Sequence, residues 1–225
     1  LNESIKGLNI KPDGVYLDVT FGGGGHSKQI LKRLVSGKLY SFDRDSDVLK
    51  NIPSSDNFKF IHSNYKNIKR YLRFEGVRRV DGILADLGVS SHQFDSVDRG
   101  FSTRKDGDLD MRMNQSQKLS AKEVVNNYEI KEMTNILRKY GELQNAHSLS
   151  LSIKRFRENN AIKTTTDLKE AVKNNIPPHK KNKILAQLFQ AFRIEVNKEL
   201  AALEEMLLQS LEILKIHGWF CNFTS

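Results

Sequence analysis

Residues 18–27 of the chain have the sequence DVTFGGGGHS, which is its most informative stretch. It overlaps the end of an apolar run at 15–19 and leads directly into a helical pattern at 26–35. Consecutive glycines permit backbone torsions, and a close approach of a ligand, that side chains would block. The amides of such a loop and the first turn of the helix form a polar cradle for a ligand. The stretch therefore predicts a strand, a ligand-binding loop and a helix, with a tight turn that binds no ligand as the alternative.

Two common nucleotide-binding motifs differ from this loop. The dinucleotide motif has a third glycine where Ser27 stands, and a P-loop has a Gly-Lys-Ser/Thr sequence that the loop lacks. Neither NAD nor a nucleoside triphosphate is therefore favoured as the ligand.

Strand-like and helical segments alternate on both sides of the loop. Strands are predicted at 15–19, 39–43, 58–62 and 80–87, and helices at 26–35, 45–51 and 65–74. Alternation at this spacing indicates βαβ units and a parallel sheet. In such a sheet, ligands bind at the carboxyl ends of the strands, which is where the glycine-rich loop is expected to lie.

Two acidic residues end predicted strands and are expected at the same edge of the sheet. Asp43 ends the second strand, and a carboxylate there can accept hydrogen bonds from both hydroxyls of a ribose. A helix cap or a surface charge is the alternative. Asp86 ends the fourth strand within LADLGVSSHQ (84–93), where it could orient or deprotonate an amine nucleophile. Its alternative is an Asx turn without a catalytic role.

The later part of the chain has a helical character. Capping-box patterns at Ser120–Glu123 and Thr164–Asp167 predict helix starts, and the prolines at 177–178 predict an exposed connector. Apolar residues recur at steps of three and four over 189–214 and predict one long helix, packed on the sheet and ended by Gly218. A last strand is predicted at 219–223. The predicted domains are a core formed by 1–104 and 184–225 and a helical insertion at 105–183.

Composition narrows the class of protein. The chain has 36 Lys and Arg against 27 Asp and Glu, a formal charge of +9, which favours polyanionic partners such as nucleic acid. Cys221 is the single cysteine, so no intrachain disulfide can form and a reducing cytoplasm is expected. No apolar run is long enough to predict a membrane span. The histidines show no metal-ligand spacing, so no metal is predicted.

Five motifs follow one another along the chain. They are TFGGGGHS (20–27), DLGVSS (86–91), DRGFS (98–102), LDMRM (109–113) and FQAFRI (189–194). In this order they resemble the bacterial small-subunit ribosomal RNA methyltransferase H family, the MraW-like enzymes that methylate N4 of a cytidine in the decoding centre of 16S rRNA. The resemblance implies an α/β fold: a class I, Rossmann-like sheet dependent on S-adenosylmethionine, with an inserted all-helical subdomain. It further implies a cytoplasmic role in ribosome assembly, with 16S rRNA or the small ribosomal subunit as partner, and it raises a homodimer as one expectation.

The resemblance also assigns cofactor contacts. They fall on Gly24, Gly25, His26, Asp43, Tyr65, Asp86 and Gln93. In these assignments Asp43 binds the ribose, Tyr65 faces the adenine, and Asp86 lies near the sulfonium and is the candidate catalytic residue.

Further residues are candidates for contacts with the substrate. Asp110 and Arg112 could form a wall of the substrate pocket, with ordinary packing and a surface ion pair as the alternative. Gln190, Arg193 and Asn197 align on one flank of the predicted long helix, which is either solvated or faces the cleft. Basic residues that could contact RNA phosphates, or form solvated faces, are Lys154, Arg155, Arg157, Lys180, Lys181 and Lys183.

The chain departs from the family at a few positions. His92 and Asp108 each replace a usual proline, and Glu142-Leu-Gln-Asn145 differs from a usual charged pattern. Thr224 stands where the family has histidine, and the family's opening His-x-Pro motif is absent, so truncation at both ends is expected. Two other functions stay open at this point: a DNA amino-methyltransferase, and a ribosome-assembly factor that keeps the fold without the activity.

Overall fold

The computed structural model describes residues 2–224, apart from the side chains of Asn2, Ser91, His92 and Thr224. Expectations about Leu1, Ser225 and the side chains of His92 and Thr224 lie outside the described residues. The chain divides into two compact units. One contains the chain up to Ser90 and from Leu200 onward, and the other is Ser91–Glu199.

The first unit contains a five-stranded parallel sheet with the order β3-β2-β1-β4-β5. Its strands are β1 (Val15–Asp18), β2 (Lys38–Asp43), β3 (Phe58–His62), β4 (Val80–Leu87) and β5 (Leu214–Thr224). The connecting elements are α1 (Asn2–Gly7), α2 (Gly25–Leu31), α3 (Ile68–Phe74) and two short 3-10 helices at Ser46–Asn51 and Tyr65–Asn67. The predicted α/β class with a parallel sheet is confirmed.

Both faces of the sheet are covered, because successive side chains of a strand point to opposite faces. Leu17 of β1 belongs to a buried cluster with Phe42, Ile83 and residues of α3. Its neighbour Tyr16 belongs to a second buried cluster that includes residues of α1 and α2. Burial on both sides explains why the inner strands β1, β2 and β4 are mostly runs of apolar residues, whereas the edge strand β3 combines buried or half-buried positions with exposed ones.

The long helix predicted over 189–214 is wrong as a single element. The chain forms α9 (Lys181–Asn197) and α10 (Glu199–Ile213), separated by Lys198 in the left-handed conformation with φ of 49°. Met206 and Ile213 of α10 pack in the core of the sheet, whereas Leu211 is 77% exposed. The continuous apolar stripe therefore combines two helices that belong to different units.

The predicted end of that helix at Gly218 is also wrong. Helix α10 ends at Ile213, and β5 begins directly at Leu214. The register between β5 and β4 shifts between the pairs Val80–Leu214 and Gly82–Trp219, and Gly218 lies within this irregular part. The strand predicted at 219–223 is confirmed.

The second unit is helical. Its helices are α4 (Ser91–Asp95), α5 (Ala121–Asn127), α6 (Ile130–Gly141), α7 (Ala146–Asn159), α8 (Thr165–Val172) and α9. The capping boxes predicted at Ser120–Glu123 and Thr164–Asp167 are confirmed. Helix α9 packs against α6, and the predicted division of the chain at 104 and 184 stays a prediction. Within residues 2–224, no helix is long and apolar enough to cross a membrane.

Candidate active site

The glycine-rich loop leaves the carboxyl end of β1, between β2 and β4 in the sheet. The strand order reverses at β1, and this switch point is the usual ligand site of an open parallel sheet. Gly22 and Gly24 have φ values of 49° and 75°, which side-chain-bearing residues rarely adopt. A Cβ at Gly24 would also lie 3.0 Å from the ring of Phe21. The backbone path of the loop therefore requires glycine at these two positions.

The other two glycines leave space above the loop. A Cβ added at Gly23 or Gly25 would meet no other atom within 4 Å. Gly25 is the first residue of α2, so its amide is one of those that a helix start leaves without an intrahelical partner. The loop thus offers a polar, uncovered cradle of the kind that a nucleoside cofactor needs.

Asp43 ties the loop to the end of β2. Its Oδ2 accepts a hydrogen bond of 2.8 Å from the amide of Gly22, and its Oδ1 accepts one of 3.0 Å from the amide of Asp45. The pKa of Asp43 is raised above its ordinary value, because the effect of burial outweighs that of these two amide donors. Each carboxylate oxygen can accept a further hydrogen bond, so the side chain can hold the loop and still bind a hydroxyl.

Asp86 and His26 meet at the other side of the loop. The amide of Asp86 donates a 2.7 Å hydrogen bond to Oγ1 of Thr20, and its Oδ2 lies 3.9 Å from Nδ1 of His26. The pKa of His26 is lowered from its ordinary value, because the effect of burial outweighs that of the nearby Asp86 carboxylate. The Nε2 atom of His26 is buried and has no hydrogen-bond partner within the described part of the chain. The structure thus brings a carboxylate and a polar side chain with unused capacity to the predicted site.

The remaining predicted cofactor residues lie in different units. Tyr65 begins the short 3-10 helix that follows β3, partly buried against the core of the sheet. Gln93 is a buried residue of α4 in the second unit. Six of the seven predicted cofactor residues therefore belong to the first unit: Gly24, Gly25, His26, Asp43, Tyr65 and Asp86.

Sequence reasoning missed a buried polar network beneath the loop. Asp18 is fully buried, and its Oδ2 accepts a 2.6 Å hydrogen bond from Oγ of Ser27. Its Oδ1 accepts a 3.1 Å bond from the amide of Thr20, and Ser27 Oγ lies 2.7 Å from Ser41 Oγ. The available signal was an aspartate at the end of an apolar strand, directly before the glycines.

The predicted substrate residues have partners within the second unit. Arg112 forms a bidentate ion pair with Asp110 at 2.9 and 2.7 Å and donates to the carbonyls of Gln115 and Gln117. Arg193 pairs in the same way with Glu199 at 2.9 and 3.2 Å. These contacts stabilise the segment at 110–117 and the end of α9, and a role in binding substrate stays a prediction.

The other polar residues of this flank also have partners. Asn197 is buried, accepts from the amide of Met113 at 2.8 Å and donates to the carbonyl of Met111 at 2.7 Å. Gln190 is exposed and donates to the carbonyl of Tyr140 at 3.1 Å. Asn197 is therefore not on a solvated flank, and Gln190 and Asn197 remain predicted substrate residues only.

The basic residues are mostly at the surface. Arg155, Lys180, Lys181 and Lys183 are exposed, and Arg157 donates to the carbonyl of Val125 at 2.8 Å. Among the residues that the structure describes, no group of three or more His, Cys, Asp or Glu side chains is arranged to hold a metal ion.

The parallel sheet, the glycine-rich loop and the acidic residues at the ends of β1, β2 and β4 define a class I, S-adenosylmethionine-dependent methyltransferase. Residues 1–224 match the model of the MraW methylase family, and the chain belongs to that family.

Curated relatives agree with this assignment. The "Ribosomal RNA small subunit methyltransferase H" of Flavobacterium johnsoniae is 55% identical over 98% of this chain and 73% of that protein. Proteins of the same name from Christiangramia forsetii and Flavobacterium psychrophilum are each 54% identical over 97% of this chain, covering 72% and 75% of their own lengths.

Proposed function

We propose that this protein transfers a methyl group from S-adenosylmethionine to the exocyclic N4 of a cytidine in the decoding centre of 16S rRNA, in the small ribosomal subunit. The observation that carries the proposal is the convergence of Asp43, Asp86 and the glycine-rich loop at the switch point of the sheet, in a chain of the MraW methylase family. The names of the relatives indicate the class of RNA. The formal charge of +9 suits a partner of this kind.

The cofactor site is proposed to use the open side of the loop. Gly25 and His26 would offer backbone amides, and Gly24, whose amide donates to the carbonyl of Phe21 at 2.8 Å, would contact the cofactor through the path it gives the loop. Asp43 would accept from the ribose hydroxyls, and Tyr65 would cover the adenine. Asp86 would lie near the cationic end of the cofactor, and Gln93 is proposed as a further cofactor contact. The cofactor supplies an electrophilic methyl group on a sulfonium, while the protein positions and polarises the acceptor.

Asp86 is proposed as the catalytic residue. The N4 amine of cytosine is a weak nucleophile because its lone pair is delocalised into the ring. Holding the amine close to the methyl carbon and accepting a hydrogen bond from it are the two contributions a carboxylate at this position can make. His26, whose Nδ1 lies 3.9 Å from Oδ2 of Asp86, would influence the orientation of that carboxylate. A base in folded rRNA has to leave its stack to reach such a site.

The test compares the unsubstituted protein with Asp86→Asn and Asp86→Ala. Each is incubated with labelled S-adenosylmethionine and small ribosomal subunits that lack the modification, and N4-methylcytidine is measured by mass spectrometry of nucleosides. We expect both substitutions to lower turnover at least about a hundredfold, the usual contribution of a positioned acid or base. Titration calorimetry with the cofactor checks that Asp86→Asn still folds and binds.

The outcomes separate the alternatives. Turnover like that of the unsubstituted protein in Asp86→Asn would refute the catalytic assignment. Methylation of duplex DNA in preference to ribosomal subunits or free 16S rRNA would favour a DNA amino-methyltransferase. Cofactor binding without methylation of any of these substrates would favour a ribosome-assembly factor. Sedimentation of the same samples tests the expected homodimer.

A further inference from the structure

Asp18 places a buried carboxylate directly beneath the glycine-rich loop. It accepts from the amide of Thr20 at the start of the loop and from the hydroxyl of Ser27 in the first turn of α2. Ser27 is linked in turn to Ser41 of β2. One carboxylate thus connects both ends of the loop, and its complete burial means that a ligand above the loop cannot touch it.

The surroundings of Asp18 are acidic. Burial raises its pKa to about 6, the hydrogen bonds from Ser27 and Thr20 lower it, and the charges of Asp43 and Asp86 raise it further. His26 faces Asp86, and burial lowers the pKa of this histidine, which favours its neutral form. The carboxylates at the ends of β1, β2 and β4 therefore produce a negative potential around the loop.

We propose that Asp18 is a positioning residue whose buried charge, together with Asp43 and Asp86, makes the site prefer the cationic methyl donor over its uncharged thioether product. This inference rests on the proposed cofactor site. S-adenosylmethionine and S-adenosylhomocysteine share their adenine, ribose, amino and carboxylate groups and differ in the methyl group and the sulfonium charge. Transfer of the methyl leaves the electron pair of the broken C–S bond on sulfur, so the attraction to the carboxylates is lost. Product release is thereby favoured over retention.

The preference depends on pH with a defined sign. Below the pKa of Asp18 the side chain is protonated and attracts the sulfonium less, so the preference for the donor decreases as pH falls through about 6. The carboxylate common to both ligands stays ionised between pH 5 and pH 8, and the comparison with Asp18→Asn accounts for the titration of their amino groups. Asp43, Asp86 and His26 also face the site, so the contribution of Asp18 is identified by substitution.

The experiment is titration calorimetry of the full chain with each ligand between pH 5 and pH 8. We expect the ratio of the two dissociation constants to change in favour of S-adenosylmethionine by roughly three- to tenfold as pH rises, since one charge is added at short range in a poorly solvated site. In Asp18→Asn, which keeps the size and can keep the hydrogen bonds, the preference for S-adenosylmethionine should be smaller than in the unsubstituted protein and should change less with pH. Ser41→Ala is the matched control, because it removes a partner of Ser27 and leaves the charge.

A purely structural role predicts a different result. If Asp18→Asn weakens both ligands equally and leaves their ratio as in the unsubstituted protein, the inference is overturned. If Asp18→Asn does not fold, the test uses Ser27→Ala, which removes the hydroxyl that stabilises the Asp18 carboxylate. This substitution should raise the pH at which the ratio of the two affinities changes. An unchanged dependence of the ratio on pH would overturn the inference. Absence of binding of either ligand to the unsubstituted protein would instead refute the proposed cofactor site.

Discussion

At the scale of single residues, the loop separates glycines that the backbone needs from glycines that a ligand would need. Gly22 and Gly24 have positive φ, whereas Gly23 and Gly25 do not and border open space. The first pair would be required in any protein with this backbone. Glycine at the second pair of positions is explained if another molecule packs against the loop, because a side chain there would block its approach.

Gly25→Ala tests that distinction. Its Cβ meets no atom within 4 Å, so the free energy of unfolding should stay the same or rise slightly, since alanine is the better helix former. The affinity for S-adenosylmethionine should fall roughly tenfold or more, about 1.4 kcal/mol. Calorimetry measures the affinity and urea unfolding the stability.

Gly24→Ala is the matched comparison for Gly25→Ala. With φ of 75° and the Phe21 ring 3.0 Å from the added Cβ, it should lower the free energy of unfolding by about 1–2 kcal/mol. An affinity unchanged in Gly25→Ala would mean that the cofactor does not approach the loop.

Asp18 also predicts a pH dependence of stability. Its pKa in the folded protein is about 6, above its ordinary value of 3.8, so the protonated form is favoured by folding. Stability from this group is fully present below about pH 4 and is lost as pH rises through 6, on the order of 3 kcal/mol in total. Asp18→Asn should therefore be more stable than the unsubstituted protein at pH 7.5, with a smaller difference at pH 5. Urea unfolding at both pH values checks this, and an Asp18→Asn variant less stable at pH 7.5 would contradict it.

At the scale of elements, the break between α9 and α10 depends on one residue. Lys198 has φ of 49°, and α9 ends beside the buried side chain of Asn197. A left-handed conformation costs a lysine about 1–2 kcal/mol that glycine avoids, although glycine loses more entropy on folding. The ion pair of Lys198 with Glu195 is exposed on the lysine side and contributes little.

Lys198→Gly is accordingly expected to raise the free energy of unfolding by roughly 0.5–1 kcal/mol. Lys198→Ala removes the same ion pair and keeps the strained Cβ, so it should not stabilise. Chemical unfolding of the two variants in parallel measures the difference. Equal stabilities would show that the left-handed conformation does not limit this junction.

At the scale of the whole molecule, the charge of +9 predicts a salt-dependent association with RNA. Lys180, Lys181 and Lys183 are exposed at the start of α9. If they bind phosphates, replacing all three with glutamine should weaken binding of a single-stranded 16S rRNA fragment. The slope of log K against log salt should become shallower by about 0.7 for each phosphate that is no longer neutralised.

Filter binding at several salt concentrations measures that slope. Replacing the exposed Lys6, Lys32 and Lys38 of the first unit with glutamine gives a control with the same change in net charge. Equal slopes for the two triple variants would show that the start of α9 is not a specific phosphate-binding surface.

Local sequence patterns were enough to predict the first four strands, the loop and the positions of Asp43 and Asp86, because each depends on local properties. Apolar runs form buried strands, glycines permit the torsions of the loop, and the end of a strand fixes the edge at which its last residue lies. The break at Lys198, the hydrogen-bond network around Asp18 and the partners of Asn197 became visible only in the folded structure. These depend on interactions between distant segments: 86 residues separate Asn197 from Met111. Periodicity cannot reveal where one apolar stripe passes from one unit to another, since packing partners are chosen by the folded chain as a whole.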